Sequence, residues 1–252
     1  MDFASVLGII LALGAVLGGQ AWLGGSVEQL VQPGAVWIVL VGTFAALLLA
    51  FPGPEVRAAF SLLPSVFGRV NPNLQPLIEE IVKIAALARK EGVLAVEQHR
   101  QTLRNASFKR NLKYVVDGFD PGSVREILDT ELNLIAEREE QASRVWESAG
   151  VYAPPMGVVG AIVALIQVMS QLSDPSKLGA GIAAAFVASL YGVALAHLFF
   201  LPWASKIRRQ AAYRSVEREL VKMGVLGIQE GTNPHFLAEK LRVFLAQSRG
   251  GS

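Results

Sequence analysis

Cysteine is absent from the chain, which excludes disulfides, thiolate metal ligands and cysteine nucleophiles together. Histidine is scarce: the three (His99, His197, His235) lie far apart and show no metal-ligand spacing. No Gly-x-Ser-x-Gly, His-Glu-x-x-His or phosphate-binding loop occurs. A catalytic site and a metal site are therefore both expected to be absent. The net charge of +2 is too small to argue for nucleic acid. Charge itself is sparse, at 17% of residues against a usual share of about 25%, and mean hydropathy is +0.41.

Arrangement decides what that scarcity means. Charges are missing from four long apolar stretches and crowded between and after them. The first stretch, residues 3–23, contains only one strongly polar residue, Gln20, near its end. At 1.5 Å per residue it matches the hydrocarbon thickness of a bilayer. Met1-Asp2 leads into it with no basic segment, so it reads as a retained span and not as a cleaved leader. A short Gly-rich loop precedes the second stretch, 34–51, which Pro52-Gly53-Pro54 stops. The third covers 151–172 and the fourth 178–203, joined by a tight loop at Ser173-Asp174-Pro175-Ser176, with Tyr191 and Trp203 as candidate interfacial anchors.

Between the two hairpins, residues 55–150 show helical periodicity: Leu77, Ile81, Ile84 and Leu87, then Ile127, Leu128, Leu132 and Ile135. Ser123 and Glu126 suggest a capping box opening a helix that ends near Trp146. Residues 205–252 form a basic amphipathic tail. The expected fold is an all-α membrane protein. Its parts are a hairpin at 1–54, a helical cytoplasmic domain at 55–150, a hairpin at 151–204, and a cytoplasmic helical tail at 205–252. Orientation follows from basic residues: 13 Lys or Arg lie in 55–150 and 9 in the tail. The positive-inside bias then places both termini and the large loop in the cytoplasm.

None of the four stretches contains Asp, Glu, Lys or Arg. Ion carriers normally hold an ionisable group at membrane depth, so a conducting protein of this sequence needs a carboxylate from another chain. The nearest candidate within the chain is His197, read either as a packing or interfacial residue or as a proton relay. Small residues recur at four-residue spacing: Ala184, Ala188, Gly192 and Ala196 on one ridge, and Gly181, Ala185 and Ser189 on a second, with Gly157 and Gly160 in the third stretch. These serve either packing within the chain or a ring around a partner's helices. Pro154-Pro155 is either a helix start or a hinge.

Tyr152-Ala153-Pro154-Pro155-Met156-Gly157-Val158-Val159-Gly160-Ala161 resembles the A-P-T-x-G-x-x-G motif of MotA/PomA stator proteins in the MotA/TolQ/ExbB superfamily. Residues 179–192, Leu201-Pro202, the segment Gly227-Ile228-Gln229-Glu230-Gly231-Thr232-Asn233-Pro234, and Arg89-Lys90-Glu91-Gly92 through Glu97 are similar to further motifs of that family, in order. The resemblance implies a flagellar stator subunit of the bacterial inner membrane. It would form a pentamer around a MotB-like, peptidoglycan-binding partner that supplies the ion-binding Asp, and it would need no cofactor. Pro154 and Pro202 match prolines that couple ion passage to movement. Gly157, Gly160, Ala161 and Ser189 fall along the ion path. Arg89 and Glu97 match the pair that engages the rotor protein FliG; read without the resemblance, they are a solvated helical face. Sodium-type relatives carry Thr where this chain has Ala161 and Ala188-Ser189, so the transported ion is expected to be the proton, with sodium as the other candidate. The alternatives are an ExbB/TolQ-like energiser, which has three spans, and a non-conducting scaffold.

Overall fold

The computed structural model describes residues 3–68, 73–170 and 175–249, without side-chain detail for 175–177 and 246–249. Every regular element among the described residues is helical. The chain divides into two compact units, one formed by residues 1–69 and 138–209, the other by 70–137 and 210–252.

The first unit begins with α1 (Phe3–Trp22), a 3-10 turn (Val27–Leu30) and α2 (Pro33–Ala50). Pro33 starts α2 because a first-turn position needs no N–H, and Phe51 leaves the helix in an extended conformation. Pro-Gly-Pro then does two jobs. It ends α2 and, with Pro54 in the first turn, opens α3 (Gly53–Val66). The expected hairpin loop at 173–176 falls largely outside the described residues.

Two boundaries differ from expectation. A break was expected between Trp146 and Val151, yet α7 runs unbroken from Pro121 to Ser170, through Pro154 and Pro155. Pro202 was expected to end the last span. Instead α8 (Pro175–Leu195) continues through a π turn (Ala196–Phe200) into α9 (Leu201–Gln229). The cause is local: Pro202 has no N–H for the carbonyl of Leu198. The helix accommodates this by widening one turn, with the Leu201 N–H bonded to the Ala196 carbonyl. The domain limits shift accordingly, because α3 and residues 138–150 pack in the first unit and the tail from 210 onward packs in the second.

The first unit is centred on Trp146, which is 1% exposed. Around it lie Leu47, Ala59, Val145, Ala149, Phe200 and Ile207. Its indole Nε1 donates to the Ala59 carbonyl at 3.1 Å, and its ring meets Phe60 at 5.0 Å and Trp203 at 5.1 Å edge to face. Trp203 is half-buried and packs against this core. Tyr191 is a staple, since its hydroxyl donates to the Leu30 carbonyl and accepts from the Gln32 N–H at 3.4 Å. The exposed tryptophans are Trp22 (93%) and Trp37 (69%), at the end of α1 and the start of α2.

In the second unit α4 (Leu74–Glu91), α5 (Val93–Arg100), α6 (Ala106–Val116), the 121–137 stretch of α7, the 210–229 stretch of α9 and α10 (Pro234–Arg249) enclose one core. Leu77, Ile81 and Ile84 are buried in it as the periodicity requires, joined by Phe108, Leu128, Leu220 and Leu241. The expected capping box is replaced: Asp120, not Ser123, caps α7, accepting from the Ser123 N–H at 3.0 Å. Pro121 takes the first helical position, and Asp followed by Pro is the stronger start signal.

Candidate functional site

Among the described residues, four helical segments are long and apolar enough to cross a membrane: Phe3–Trp22, Val27–Ala50, the later part of Pro121–Ser170 and the early part of Leu178–Gln229. The candidate site lies where the last two cross. Glycine makes that crossing possible. A methyl group placed on Gly192 would lie 2.6 Å from the Ala153 carbonyl oxygen and 3.1 Å from Pro154 Cα. One on Gly157 would lie 2.9 Å from the Ala188 carbonyl oxygen and 3.3 Å from Ser189 Cα. Gly160 meets Ala188 at 3.1 Å and Ile38 of α2 at 3.6 Å in the same sense. The backbones of α7 and α8 are thus in direct contact.

Gly157, Gly160, Ala188, Gly192 and Ala196 are buried within this chain. For these residues, packing inside the subunit accounts for the small side chains. Ala161, Ser189 and Pro154 border the crossing and are half-buried. The Ser189 hydroxyl donates to the Ala185 carbonyl at 3.4 Å, longer than the usual hydroxyl bond. Pro202 is exposed just past the π turn. The two proline segments meet: a methyl on Gly150, one turn before Pro154, would lie 2.6 Å from the side chain of Leu201.

Beyond the crossing, each helix keeps an uncovered apolar face. On α7 this is Val158, Ile162, Ile166 and Met169; on α8 it is Ile182, Phe186, Leu190 and Val193. α1 buries none of its residues within the chain. No group of three or more His, Cys, Asp or Glu suited to a metal occurs among the described residues. Two features escaped sequence reading. Thr43, fully buried on α2, satisfies its hydroxyl on the Val39 carbonyl at 2.6 Å. The π turn was the other, although a proline inside a helix that has to continue was its signal.

The second unit carries Arg89 and Glu97 on separate helices, parted by Gly92, whose φ of +88° L side chains rarely adopt. Arg89 is exposed. Glu97 is held by Arg100 through two bonds, at 2.7 and 2.8 Å. That guanidinium keeps the Glu97 carboxyl below its ordinary range. Lys222 reaches Asp129 at 2.5 Å and Glu219 at 2.8 Å. Burial pulls its ammonium down, but the two carboxylates outweigh that and raise it overall.

Comparison with known proteins places this architecture. Residues 6–92 match the family described as Motility protein A N-terminal, and residues 99–223 match the MotA/TolQ/ExbB proton channel family. Motility protein A of Bacillus subtilis is 34% identical over 97% of this chain and 91% of its own length. The fold is similar to a solved structure of C. jejuni MotAB, with a TM-score of 0.89 at 28% identity over 97% of this chain and 96% of that one. It is also similar to the flagellar MotAB stator complex from Bacillus subtilis, with a TM-score of 0.86 at 34% identity over 98% of each chain. The chain belongs to the motility protein A family, within the MotA/TolQ/ExbB proton channel family.

Proposed function

We propose that this chain is the ion-conducting stator subunit of a bacterial flagellar motor. Five copies surround a MotB-like, peptidoglycan-anchored partner and convert proton flow into torque on the rotor protein FliG. The observation that carries this reading is a pair of closely crossed helices, α7 and α8, whose apolar stretches (151–170 and 178–195) hold no carboxylate but leave apolar faces uncovered. An ion path there needs the partner to bring the ionisable group. The complexes solved for the relatives, which pair MotA with MotB, support such a partner.

The protein is an inner-membrane protein, and its four apolar helices cross the bilayer with both termini in the cytoplasm. Support comes from the 13 and 9 basic residues on the two charged segments and from exposed Trp22 and Trp37 at the opposite end of the first hairpin. The work is electrochemical, with no covalent chemistry on a substrate. Each proton yields about 2.3 kcal/mol per 100 mV of membrane potential. Changes in the partner carboxylate's charge alter its fit against α7 and α8, and the ring steps in response. Arg89 and Glu97 meet the rotor, where exposed charge steers and registers contact. Ala161 and Ala188 offer no hydroxyl to replace the hydration of a sodium ion, and Ser189 alone keeps one, a shortage that favours the proton.

Deleting the gene and scoring filaments and tethered-cell rotation tests this reading. Intact but motionless filaments, restored by the chain together with its partner, are expected. Rotation that survives the deletion and does not change when the chain is supplied would refute it.

A further inference from the structure

His197 is the sole imidazole in the four apolar segments, and three observations single it out. First, it is exposed on α8's uncovered side, following Ser189 and Val193 at four-residue steps. Eight residues of helix place it about 12 Å along the axis from Ser189, toward the cytoplasmic end. Second, its Nδ1 lies 3.2 Å from the Val193 carbonyl. A carbonyl oxygen only accepts, so Nδ1 carries the hydrogen in the neutral ring and Nε2 remains as the acceptor. Third, the residue belongs to the π turn Ala196–Phe200 that Pro202 imposes, an irregularity frequent at functional sites.

Its surroundings hold little else that titrates. α1 and α2 have no ionisable side chain, α8 has only Tyr191 and, at its far end, Lys177, and α7 from 148 to 170 has only Tyr152. The charges beyond the π turn are largely engaged: Lys206 bonds to Ser5, and Arg208 pairs with Glu147 at 2.7 Å and Glu140 at 3.6 Å. Arg209 on α9, Glu55 and Arg57 on α3, and Arg138, Glu139 and Arg144 on α7 are the other charges at this end of the first unit. An imidazole facing hydrocarbon is costly, and one facing a water-lined exit is not.

We infer that His197 is the inner proton acceptor of the path, resting on the proton-driven stator reading above. The partner's carboxylic acid, having passed Ser189, gives its proton to His197 Nε2 and becomes a carboxylate. The imidazolium then releases that proton to cytoplasmic water and returns to the neutral ring. The carboxylate is protonated again from outside, so one proton crosses per cycle.

The test is a bead assay at low and high load with His197→Asn and His197→Gln, supplied with the partner and run across cytoplasmic pH 5.5 to 8. Low-load speed depends on how fast protons leave, whereas stall torque depends on the free energy per proton. Both variants are expected to lose about tenfold in low-load speed, at the low end of what a positioned proton acceptor contributes, while keeping stall torque. The unaltered protein is expected to slow as the cytoplasm acidifies, because proton release is then opposed, and the variants to lose that dependence. Variants with unaltered speed and an unaltered pH profile would overturn the inference, as would variants that lose stall torque in step with speed. Rotation of the unaltered protein that follows external sodium at fixed pH would remove the proton-driven reading and this inference together.

Discussion

Gly192→Ala is the sharpest perturbation of the α7–α8 crossing, because the added methyl meets backbone on the facing helix. It would lie 2.6 Å from the Ala153 carbonyl oxygen, 3.0 Å from Gly157 Cα and 3.1 Å from Pro154 Cα. The closest ordinary carbon-to-carbonyl approach is about 3.3 Å, so the helices have to part by roughly 0.7 Å. No rotamer change can absorb this, since all three neighbours are main chain. A gap of that size forfeits about a quarter to a half of the dispersion energy along the seam. Overpacking of this kind costs about 1–3 kcal/mol, which for a chain of this length is a fall of about 2–12 °C in Tm. Gly157→Ala should behave alike, its methyl meeting the Ala188 carbonyl oxygen at 2.9 Å. Gly179→Ala on the same helix is the control, with nothing within 4 Å of the new methyl. The assay is thermal unfolding of the purified complex in detergent, followed by loss of its monodisperse peak. Gly192→Ala and Gly157→Ala melting within about 1 °C of the unaltered protein would refute the reasoning, because backbone contact at this seam would then be absent.

Trp146→Phe removes the donor to the buried Ala59 carbonyl; a loss of about 1–3 kcal/mol is expected, read as a lowered Tm in the same assay. Pro202→Ala restores the N–H that a regular helix gives to Leu198 and lets the π turn relax, so rotation of tethered cells should be lost while membrane insertion and partner co-purification persist. Pro154→Ala should do the same, and unchanged rotation in both would remove the prolines from the mechanism. Glu97, with its carboxyl held below the ordinary range by Arg100, keeps its charge through the physiological range and loses it only as pH falls through that lowered value. The motility deficit of Glu97→Gln should therefore be constant between cytoplasmic pH 6 and 8.

The sequence makes the helical, membrane-spanning class legible because stretches of 18 to 26 residues without charge have few other uses. It makes the core of α4 legible through Leu77, Ile81 and Ile84. It misplaces breaks where proline is read as punctuation. Pro154, Pro155 and Pro202 are each carried inside a long helix, because neighbouring residues such as Gly150 and Leu201 hold both sides of the interruption in one core. Tyr191 and Trp203 read as interfacial by type and also serve tertiary packing, and only coordinates reveal that the Leu30 carbonyl and the Trp146 ring are their partners. The glycines at 157 and 192 were visible as small residues. Which surface they face was not, because spacing defines a ridge without naming what packs on it.

The central claim is that this chain builds the path and its partner supplies the carboxylate. Proton uptake into liposomes under an imposed potential tests it most directly, comparing the chain alone, the chain with its partner, and the complex with the partner's intramembrane Asp changed to Asn. Uptake by the intact complex only is the expected result; uptake by the chain alone, or by the Asp-to-Asn complex at the intact rate, would contradict it.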